Sequence, residues 1–263
     1  MSFLPAISRL FPASAAVAVL LGVTPATPPR GVAVVELFTS EGCSSCPPAD
    51  ELLRAIDADA RRARKPIYPL SFHIDYWDDL GWKDPFSSPA YTARQRAYER
   101  TLRSGGPYTP QMIVNGSEAF VGSRRGQADV AIREALAKPA AADVVIESAS
   151  TSSGVVTVAY RVRGAAPDDL VVAALVERGI VRRIGSGENS GRTLHHEEVV
   201  RALASGAAAA GAGTFTLDAP SGLDRGRASV VVFVQRPASL EITGAARVDL
   251  PGQGRNRPPL REN

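Results

Sequence analysis

Cysteine and histidine are scarce in this sequence, whose 263 residues include two cysteines and three histidines. A structural zinc site takes four ligands, commonly two cysteine pairs or a cysteine pair with two histidines. This chain has no second cysteine pair, and its three histidines are His73, His195 and His196, so we do not expect a zinc site. The two cysteines, Cys43 and Cys46, lie three positions apart. A disulfide closing so short a loop adds only about 2 kcal/mol of stability before any strain. The pair therefore indicates a chemically reactive site rather than a disulfide that stabilises the fold.

The chain also lacks a large excess of either charge, since it has 30 basic and 27 acidic residues and a net charge of +3. The basic residues are scattered rather than clustered in a stripe, which argues against a nucleic-acid partner. No stretch after residue 29 is long and apolar enough to span a membrane. The hydrophobic content of 44% is sufficient for two compact domains.

The N-terminus carries the one extended apolar run. Arg9 precedes a charge-free stretch at residues 10–29, with an alanine-rich apolar run at residues 13–23 and small residues after it. This order is typical of a secretory signal peptide, which we place at residues 1–26. A membrane anchor needs about 20 strongly apolar residues, whereas this run is shorter and is followed by prolines. We therefore expect a periplasmic or secreted protein with no stable membrane span in the mature chain.

Strand and helix signals alternate in the first half of the chain. An apolar, β-branched run leads into the cysteine pair, and a helical pattern follows it. Pro47 and Pro48 lack backbone N–H groups, so we expect this helix to begin later than usual. Asn115-Gly116 between two apolar runs predicts a hairpin. The predicted strands are residues 32–39, 66–74, 111–114 and 119–122, and the later helices are residues 88–102 and 127–138.

After an alanine-rich linker at residues 139–142, the hydrophobic period changes to two. Alternating apolar residues and turn-forming connections at this spacing predict a β-sandwich at residues 143–250. The tail at residues 251–263 is rich in proline and arginine, and we expect it to be disordered. The predicted strands of this half are residues 156–162, 170–177, 214–217, 228–235 and 246–250.

A Cys-x-x-Cys pair can alternate between dithiol and disulfide because two intervening residues let the sulfurs meet. A helix N-terminus lowers the pKa of a thiol, and the thiolate is the nucleophile. Cys43, at the strand-to-helix turn, is expected to be the exposed attacking residue. Cys46 is expected to resolve the mixed disulfide by attacking Cys43. No organic cofactor is needed, because the sulfurs carry the electrons.

The order of elements at residues 32–138 resembles the thioredoxin fold. The chain is also similar to DUF1223, a bacterial family of exported, thioredoxin-like proteins of unknown function. The motifs that carry this resemblance are VELFTSEGCSSCPPAD at residues 35–50, HIDYWD at 73–78, GWKDPF at 81–86, YTPQ at 108–111 and GENSG at 187–191.

The resemblance implies that Pro110 is a cis-proline facing the cysteine pair and that Thr109 helps to dock the partner chain. The residues alone do not indicate the cis form, since most X-Pro bonds are trans. Two departures from ordinary thioredoxins stand out. The cysteines enclose Ser44-Ser45 rather than Gly-Pro, and a long insert at residues 73–106 could cover the pair and narrow the range of partners.

Five further residues are weaker candidates. His73 could lower the pKa of Cys43 or ligate a metal, although a packed strand histidine is the simpler interpretation. Asp75 could accept a proton from Cys46, or it could simply be solvated. Tyr76, Trp77 and Tyr108 could line a peptide-binding surface, although aromatic residues are more often part of the core.

The second half contains a further group of polar candidate residues, namely Glu188, Asn189, His195 and His196. Adjacent histidines in a strand point to opposite faces, so the two histidines cannot easily chelate one metal. A turn packed against the first domain explains this group better. We expect no metal site there.

The sequence therefore predicts an α/β thioredoxin-like domain at residues 31–138, followed by an all-β sandwich-like domain. The predicted function is thiol–disulfide exchange with protein or peptide thiols. Two alternatives remain open. One is a copper-binding protein that holds Cu(I) with both thiolates and His73. The other is a permanent Cys43–Cys46 disulfide in a protein that works through its second domain.

Overall fold

The structure is a computed structural model that describes residues 30–103, 105–208 and 211–252. The predicted signal peptide at residues 1–26 lies outside the described residues. So does the predicted disordered tail from residue 253 onward. Within the described ranges, no helix is both long enough and apolar enough to cross a membrane.

The α-helices of the described residues all lie in the first half, whereas a short 3-10 helix at Arg225–Arg227 precedes the strand that begins at Ala228. The α-helices are α1 (Pro47–Ala63), α2 (Pro89–Leu102) and α3 (Arg125–Ala137). The strands of the first half are β1 (Ala33–Thr39), β2 (Ile67–His73), β3 (Gln111–Val114) and β4 (Glu118–Val121). Those of the second half are β5 (Asp143–Ser152), β6 (Val155–Arg163), β7 (Leu170–Glu177), β8 (Ile180–Arg183), β9 (Thr193–His196), β10 (Val199–Ala207), β11 (Ala212–Asp218), β12 (Ala228–Gln235) and β13 (Ile242–Asp249).

The fold is mixed α/β, with one large mixed sheet and two smaller antiparallel sheets. Eight strands form the large sheet in the order β13-β12-β7-β10-β2-β1-β3-β4. Within it, β1 and β2 are parallel, β3 is antiparallel to β1, and β4 is antiparallel to β3. Strands β11, β6 and β5 form the second sheet, and β8 pairs with β9 in a hairpin.

Each face of the large sheet is covered by a different layer. On one face, apolar side chains of β1, β2, β7 and β12 pack with Tyr91 and Tyr98 of α2. On the opposite face, α1 and α3 cover β1 and β3. The three-stranded sheet covers β7 and β12 on an apolar core of its own. The burial of β7 and β12 on both faces explains their nearly continuous apolar sequences.

The large sheet crosses the linker predicted at residues 139–142. Strand β10 of the second half lies beside β2 of the first, with Val199 opposite Ser71. The Ser71 N–H donates to the Glu198 carbonyl at 2.8 Å. Strands from both halves therefore share one sheet and one apolar core.

A buried polar network spans the same core. The Arg94 guanidinium of α2 donates to the Glu36 carboxylate of β1 at 2.6 Å and to Gln235 of β12 at 3.1 Å. The Tyr98 hydroxyl also donates to Glu36 and accepts from Gln235 at 2.8 Å. Because a buried charge is costly without partners, this network fixes how α2, β1 and β12 are placed.

The expectation that α1 begins late is wrong, because the helix starts at Pro47, directly after its N-cap Cys46. The first N–H groups of a helix have no partner within it, so prolines are tolerated there. The Cys46 carbonyl accepts the N–H groups of Ala49 at 2.8 Å and Asp50 at 3.2 Å. The cysteine pair therefore lies at the N-terminal end of α1.

Candidate redox site

The loop between β1 and α1, residues 40–46, carries the cysteine pair; we call it the redox loop. Cys43 and Cys46 are joined by a disulfide. The Cys43 N–H donates to the Ser40 carbonyl, and the Cys46 N–H donates to the Cys43 carbonyl, each at 3.2 Å. These bonds fold the loop into consecutive turns that bring the two sulfurs together.

Both cysteines are buried, with 0% of either residue exposed to solvent. The expectation of an exposed attacking Cys43 is therefore wrong for this state of the protein. The reason is that side chains from three other segments close over the redox loop. These segments are the insert after β2, the loop before β3 and the tip of the β8–β9 hairpin.

The loop before β3 contributes Thr109 and Pro110, which are joined by a cis peptide bond. The Thr109 hydroxyl donates to the Cys43 Sγ at 3.4 Å. The insert contributes Trp77, whose indole N–H donates to the Thr109 Oγ1 at 2.9 Å. The Ser45 Oγ lies 3.3 Å from the same sulfur and 3.4 Å from the Thr109 carbonyl oxygen. Trp77 thus orients the Thr109 hydroxyl toward the sulfur.

The tip of the β8–β9 hairpin holds the backbone of the redox loop. The buried side chain of Asn189 donates from Nδ2 to the carbonyls of Glu41 and Cys43, both at 2.9 Å. The exposed carboxylate of Glu188 accepts the Ser44 N–H at 3.0 Å. Hydrogen bonding to the Ser44 side chain, and then to its backbone N–H, lowers the pKa of Glu188. The expectation that this turn packs against the first half is confirmed.

A buried group of acids and histidines lies behind the redox loop. Asp84 Oδ2 is 2.7 Å from His73 Nδ1 and accepts the Glu41 N–H at 2.8 Å. The Glu41 carboxylate accepts the Trp82 indole N–H at 2.8 Å and lies 3.2 Å from His196 Nε2. The two imidazole rings are 4.9 Å apart.

The pKa shifts of this group identify an ion pair. Burial alone would lower the pKa of His73, but the charge and hydrogen bond of Asp84 outweigh it and raise the pKa. Burial alone would raise the pKa of Asp84, but His73 lowers it to about 2. Both directions indicate a charged His73–Asp84 pair, which anchors the redox loop through the Glu41 N–H.

The first turn of α1 adds a carboxyl group near Cys46. Asp50 lies four residues after Cys46, so the two side chains share one face of the helix. Asp50 is buried, and burial raises its pKa against the opposing effect of His196 and His73. Pro47 and Asp50 line a small cavity of about 140 Å³ together with residues 192–195.

Three sequence candidates lie beside the site without touching the sulfurs. The Asp75 carboxylate accepts the Thr92 hydroxyl at 2.5 Å and so binds α2 rather than Cys46. The Tyr76 hydroxyl donates to Gln95 at 3.3 Å. The Tyr108 carbonyl accepts the Gln95 side-chain amide at 2.8 Å. All three are half-buried around α2.

Among the described residues, one group of three acids meets the distance requirement for a cation site. Asp57, Glu197 and Glu198 have ligand atoms within 4.8 Å of one another. Arg61 and Arg247 already form ion pairs with Asp57 and Glu198. The donor set therefore fits arginine better than a metal ion.

His195 is exposed and His196 buried, as expected for neighbours on opposite faces of a strand.

Sequence reasoning did not assign Glu41 or Asp84 to the site, and it placed Glu188 and Asn189 only in a turn packed against the first domain. Their position within the motifs of the family resemblance could have identified them from the sequence. All four lie in the same short stretches as the cysteines, Trp82 and the other residues that carry the family resemblance. The structure brings these stretches together around one disulfide.

Comparison with known proteins identifies one family and similar solved structures. The family described as "Protein of unknown function (DUF1223)" matches residues 34–235, which include both halves of the chain. A crystal structure of a protein from Agrobacterium tumefaciens is 30% identical, covers 86% of this chain and 96% of its own, and has a TM-score of 0.61. No curated protein matches the sequence.

A domain of an outer membrane lipoprotein from Porphyromonas gingivalis is a more distant match. It is 16% identical and covers 43% of this chain and 99% of its own length. Its TM-score is 0.28, which is too low for any conclusion about this protein.

Proposed function

The chain belongs to the DUF1223 family of proteins of unknown function, and from that premise we propose that it exchanges disulfides with protein or peptide thiols through Cys43 and Cys46. The observation that carries the proposal is a disulfide at the N-terminal end of α1 with the Thr109 hydroxyl on the Cys43 sulfur. A structural staple would need neither that donor nor its orientation by Trp77.

The strand arrangement supports a thioredoxin-like first half. The order β2-β1-β3-β4, with β1 parallel to β2 and the cis-proline just before β3, agrees with the fold that the sequence resembles. For the second half we propose a sandwich-like arrangement, in which β5, β6 and β11 pack over β7 and β12. We also propose export to the periplasm or the medium, where a disulfide is stable.

In the oxidising direction, a substrate thiolate attacks the Cys43 sulfur. The Cys43–Cys46 bond breaks, and Cys46 leaves as a thiolate that takes up a proton. A second substrate thiolate then attacks the substrate sulfur of the mixed disulfide, and Cys43 leaves as the second thiol. Two electrons and two protons pass from substrate to protein, and the reverse sequence reduces a substrate disulfide.

Residues of this chain have separate roles in these steps. Thr109 hydrogen-bonds the Cys43 sulfur and so stabilises its thiolate. Asp50 is a buried carboxyl one turn from Cys46, and burial raises its pKa, which suits it to exchange a proton with that sulfur. The Thr109 carbonyl and neighbouring backbone offer a strand-like edge to an extended peptide. Tyr76, Trp77 and Tyr108 lie around this edge.

The test is to trap the mixed disulfide. In Cys46→Ala the resolving sulfur is missing, so we expect Cys43 to remain covalently bound to its partners when the variant is expressed in its native compartment. Cys43→Ala is the matched control and should retain none. Absence of adducts with Cys46→Ala would count against exchange.

Complete burial of both cysteines favours one competing function, a permanent structural disulfide. A reduction potential below about −300 mV would support that function, because such disulfides resist the glutathione pool. A higher potential would support exchange.

A further inference from the structure

The β8–β9 hairpin ends in a seven-residue loop, residues 185–191, which we call the latch. At its base, the Ile184 N–H donates to the Arg192 carbonyl and the Gly191 N–H donates to the Ile184 carbonyl, both at 2.9 Å. Ile184 and Leu194 are buried, so the hairpin below the latch is anchored. In the latch itself, three of seven residues are glycine and only Asn189 has a buried side chain.

The latch is held down by a few polar contacts. Asn189 binds two carbonyls of the redox loop, and Glu188 binds the Ser44 N–H. The Ser186 hydroxyl donates to the Gly81 carbonyl at 2.5 Å. Gly187 has a φ of 73°, and a Cβ there would lie 2.9 Å from the Trp82 Cβ, so the latch packs closely on the insert. Apart from Asn189 and the contact of Gly185 and Gly187 with Trp82, release of the latch would expose little buried surface.

These contacts fix the redox loop in the state that hides the sulfurs. The carbonyls of Glu41 and Cys43 and the N–H of Ser44 all bind latch side chains. With 0% of either cysteine exposed, a substrate thiol cannot reach Cys43 until this segment moves. The redox loop can move only if its contacts with the latch break before the movement or at the same time.

We propose that residues 185–191 are a latch whose release from the redox loop controls access to the disulfide. The proposal rests on the proposed exchange function, since it assigns a regulatory step to the same site. It makes Asn189 and Glu188 positioning residues that act through the backbone of Cys43 and Ser44. Chemistry at the sulfur then follows opening.

The test measures reduction of the oxidised protein by increasing concentrations of dithiothreitol, with acid quenching, alkylation and mass spectrometry. If opening is required, the rate of the wild-type protein reaches a plateau equal to the opening rate. In Asn189→Ala, which lacks two hydrogen bonds, we expect this plateau to rise about tenfold or more. In Glu188→Ala, whose side chain is exposed, we expect a rise of about fivefold.

Ser190→Ala is the matched control, because the exposed Ser190 hydroxyl donates to the Gly185 carbonyl within the latch rather than to the redox loop. Its plateau should equal that of the wild-type protein. Amide hydrogen exchange should accelerate at residues 41–44 in Asn189→Ala but remain unchanged in β7, which separates latch release from global unfolding. A dependence of the rate on dithiothreitol that is the same in Asn189→Ala, Glu188→Ala and the wild-type protein would overturn the latch.

These measurements use no protein partner, so they separate the two proposals. If the plateau behaves as expected but Cys46→Ala traps nothing, the latch stands and the exchange function falls. If adducts form and the plateau is unaffected by Asn189→Ala and Glu188→Ala, exchange stands and the latch falls.

Discussion

The hydrogen bonds to the Cys43 sulfur come from side chains rather than from the backbone of α1. Pro47 and Pro48 occupy the first helical positions and have no N–H to offer. The Thr109 hydroxyl, oriented by the Trp77 indole, supplies a donor instead. A donor on a threonine can be removed without changing the shape of the side chain, so its effect can be measured separately.

We predict that Thr109→Val raises the pKa of the Cys43 thiol, because the thiolate loses its hydroxyl donor. A hydrogen bond to a charged group contributes about 1.5–3 kcal/mol, which corresponds to a rise of about one to two pKa units. The pH dependence of thiolate absorbance in a Cys46→Ala background measures it. Thr109→Ser, which keeps the hydroxyl, is the control, and an unshifted titration in Thr109→Val would contradict the assignment.

Sequence reasoning could identify Cys43 and Cys46 because their spacing itself has chemical meaning. Resemblance to the thioredoxin fold then added Thr109 and Pro110. Asn189 could not be assigned in this way, since it lies 146 positions from Cys43. Its contact depends on where the β8–β9 hairpin folds, and no local pattern specifies that position.

At the scale of elements, periodicity predicted the helices and strands of the first half with small errors at their ends. It missed β8, which has only four residues, two of them arginine. It also missed β5 and β10, whose half-exposed sequences alternate weakly. Short or partly exposed strands owe their conformation to pairing with neighbours, which a local pattern does not contain.

One junction between elements has a pH-dependent charge balance. Arg61 of α1 binds the Glu198 carboxylate just before β10, and Arg247 of β13 lies 3.5 Å from it. Burial and the Asp57 carboxylate raise the pKa of Glu198 to about 7 from its ordinary 4.5. The partly buried Glu197 also has a raised pKa. The junction thus holds more negative charge than the arginines neutralise.

We predict that the free energy of unfolding falls as pH rises from 4.5 to above 7. In this window folded Glu198 keeps a proton that the unfolded chain has released, so its stabilisation is complete below pH 4.5 and lost as pH rises through about 7. The contribution is roughly 3 kcal/mol. Denaturant unfolding across this pH range measures it.

Glu198→Gln keeps the side-chain shape without titrating, so its pH dependence should be shallower than that of the wild-type protein. Some slope should remain, because the raised pKa of His73 acts in the same direction. The exposed Glu118 of β4 provides the control, Glu118→Gln, which should retain the wild-type slope. Equal slopes in all three proteins would refute the role of Glu198.

At the scale of the molecule, the sequence contains a clue to the shared sheet that periodicity alone did not reveal. Strands β7 and β12 read LVVAALVE and ASVVVFVQ, nearly unbroken apolar runs. Such runs are typical of strands covered on both faces, whereas sandwich strands alternate. One of those faces packs against α2 of the first half. The pattern indicates double coverage but does not name the covering element.

Because the two halves share this core, we predict that a cavity in the second half destabilises the first. Phe233 of β12 packs in the core beneath α2, with the Arg94 guanidinium 5.5 Å from its ring centre. Phe233→Ala should cost about 3–5 kcal/mol. Trp77 hydrogen-bonds to Thr109 within the first half, whereas Trp82 also packs on Gly185 and Gly187 of the latch. In a Trp82→Phe background, tryptophan fluorescence during urea unfolding therefore reports on the first half. We expect the fluorescence midpoint to shift with the mutation in a single transition, while Val181→Ala at an exposed position of β8 leaves it unchanged. A fluorescence transition insensitive to Phe233→Ala would mean that residues 31–138 unfold as an independent domain, as the sequence alone suggests.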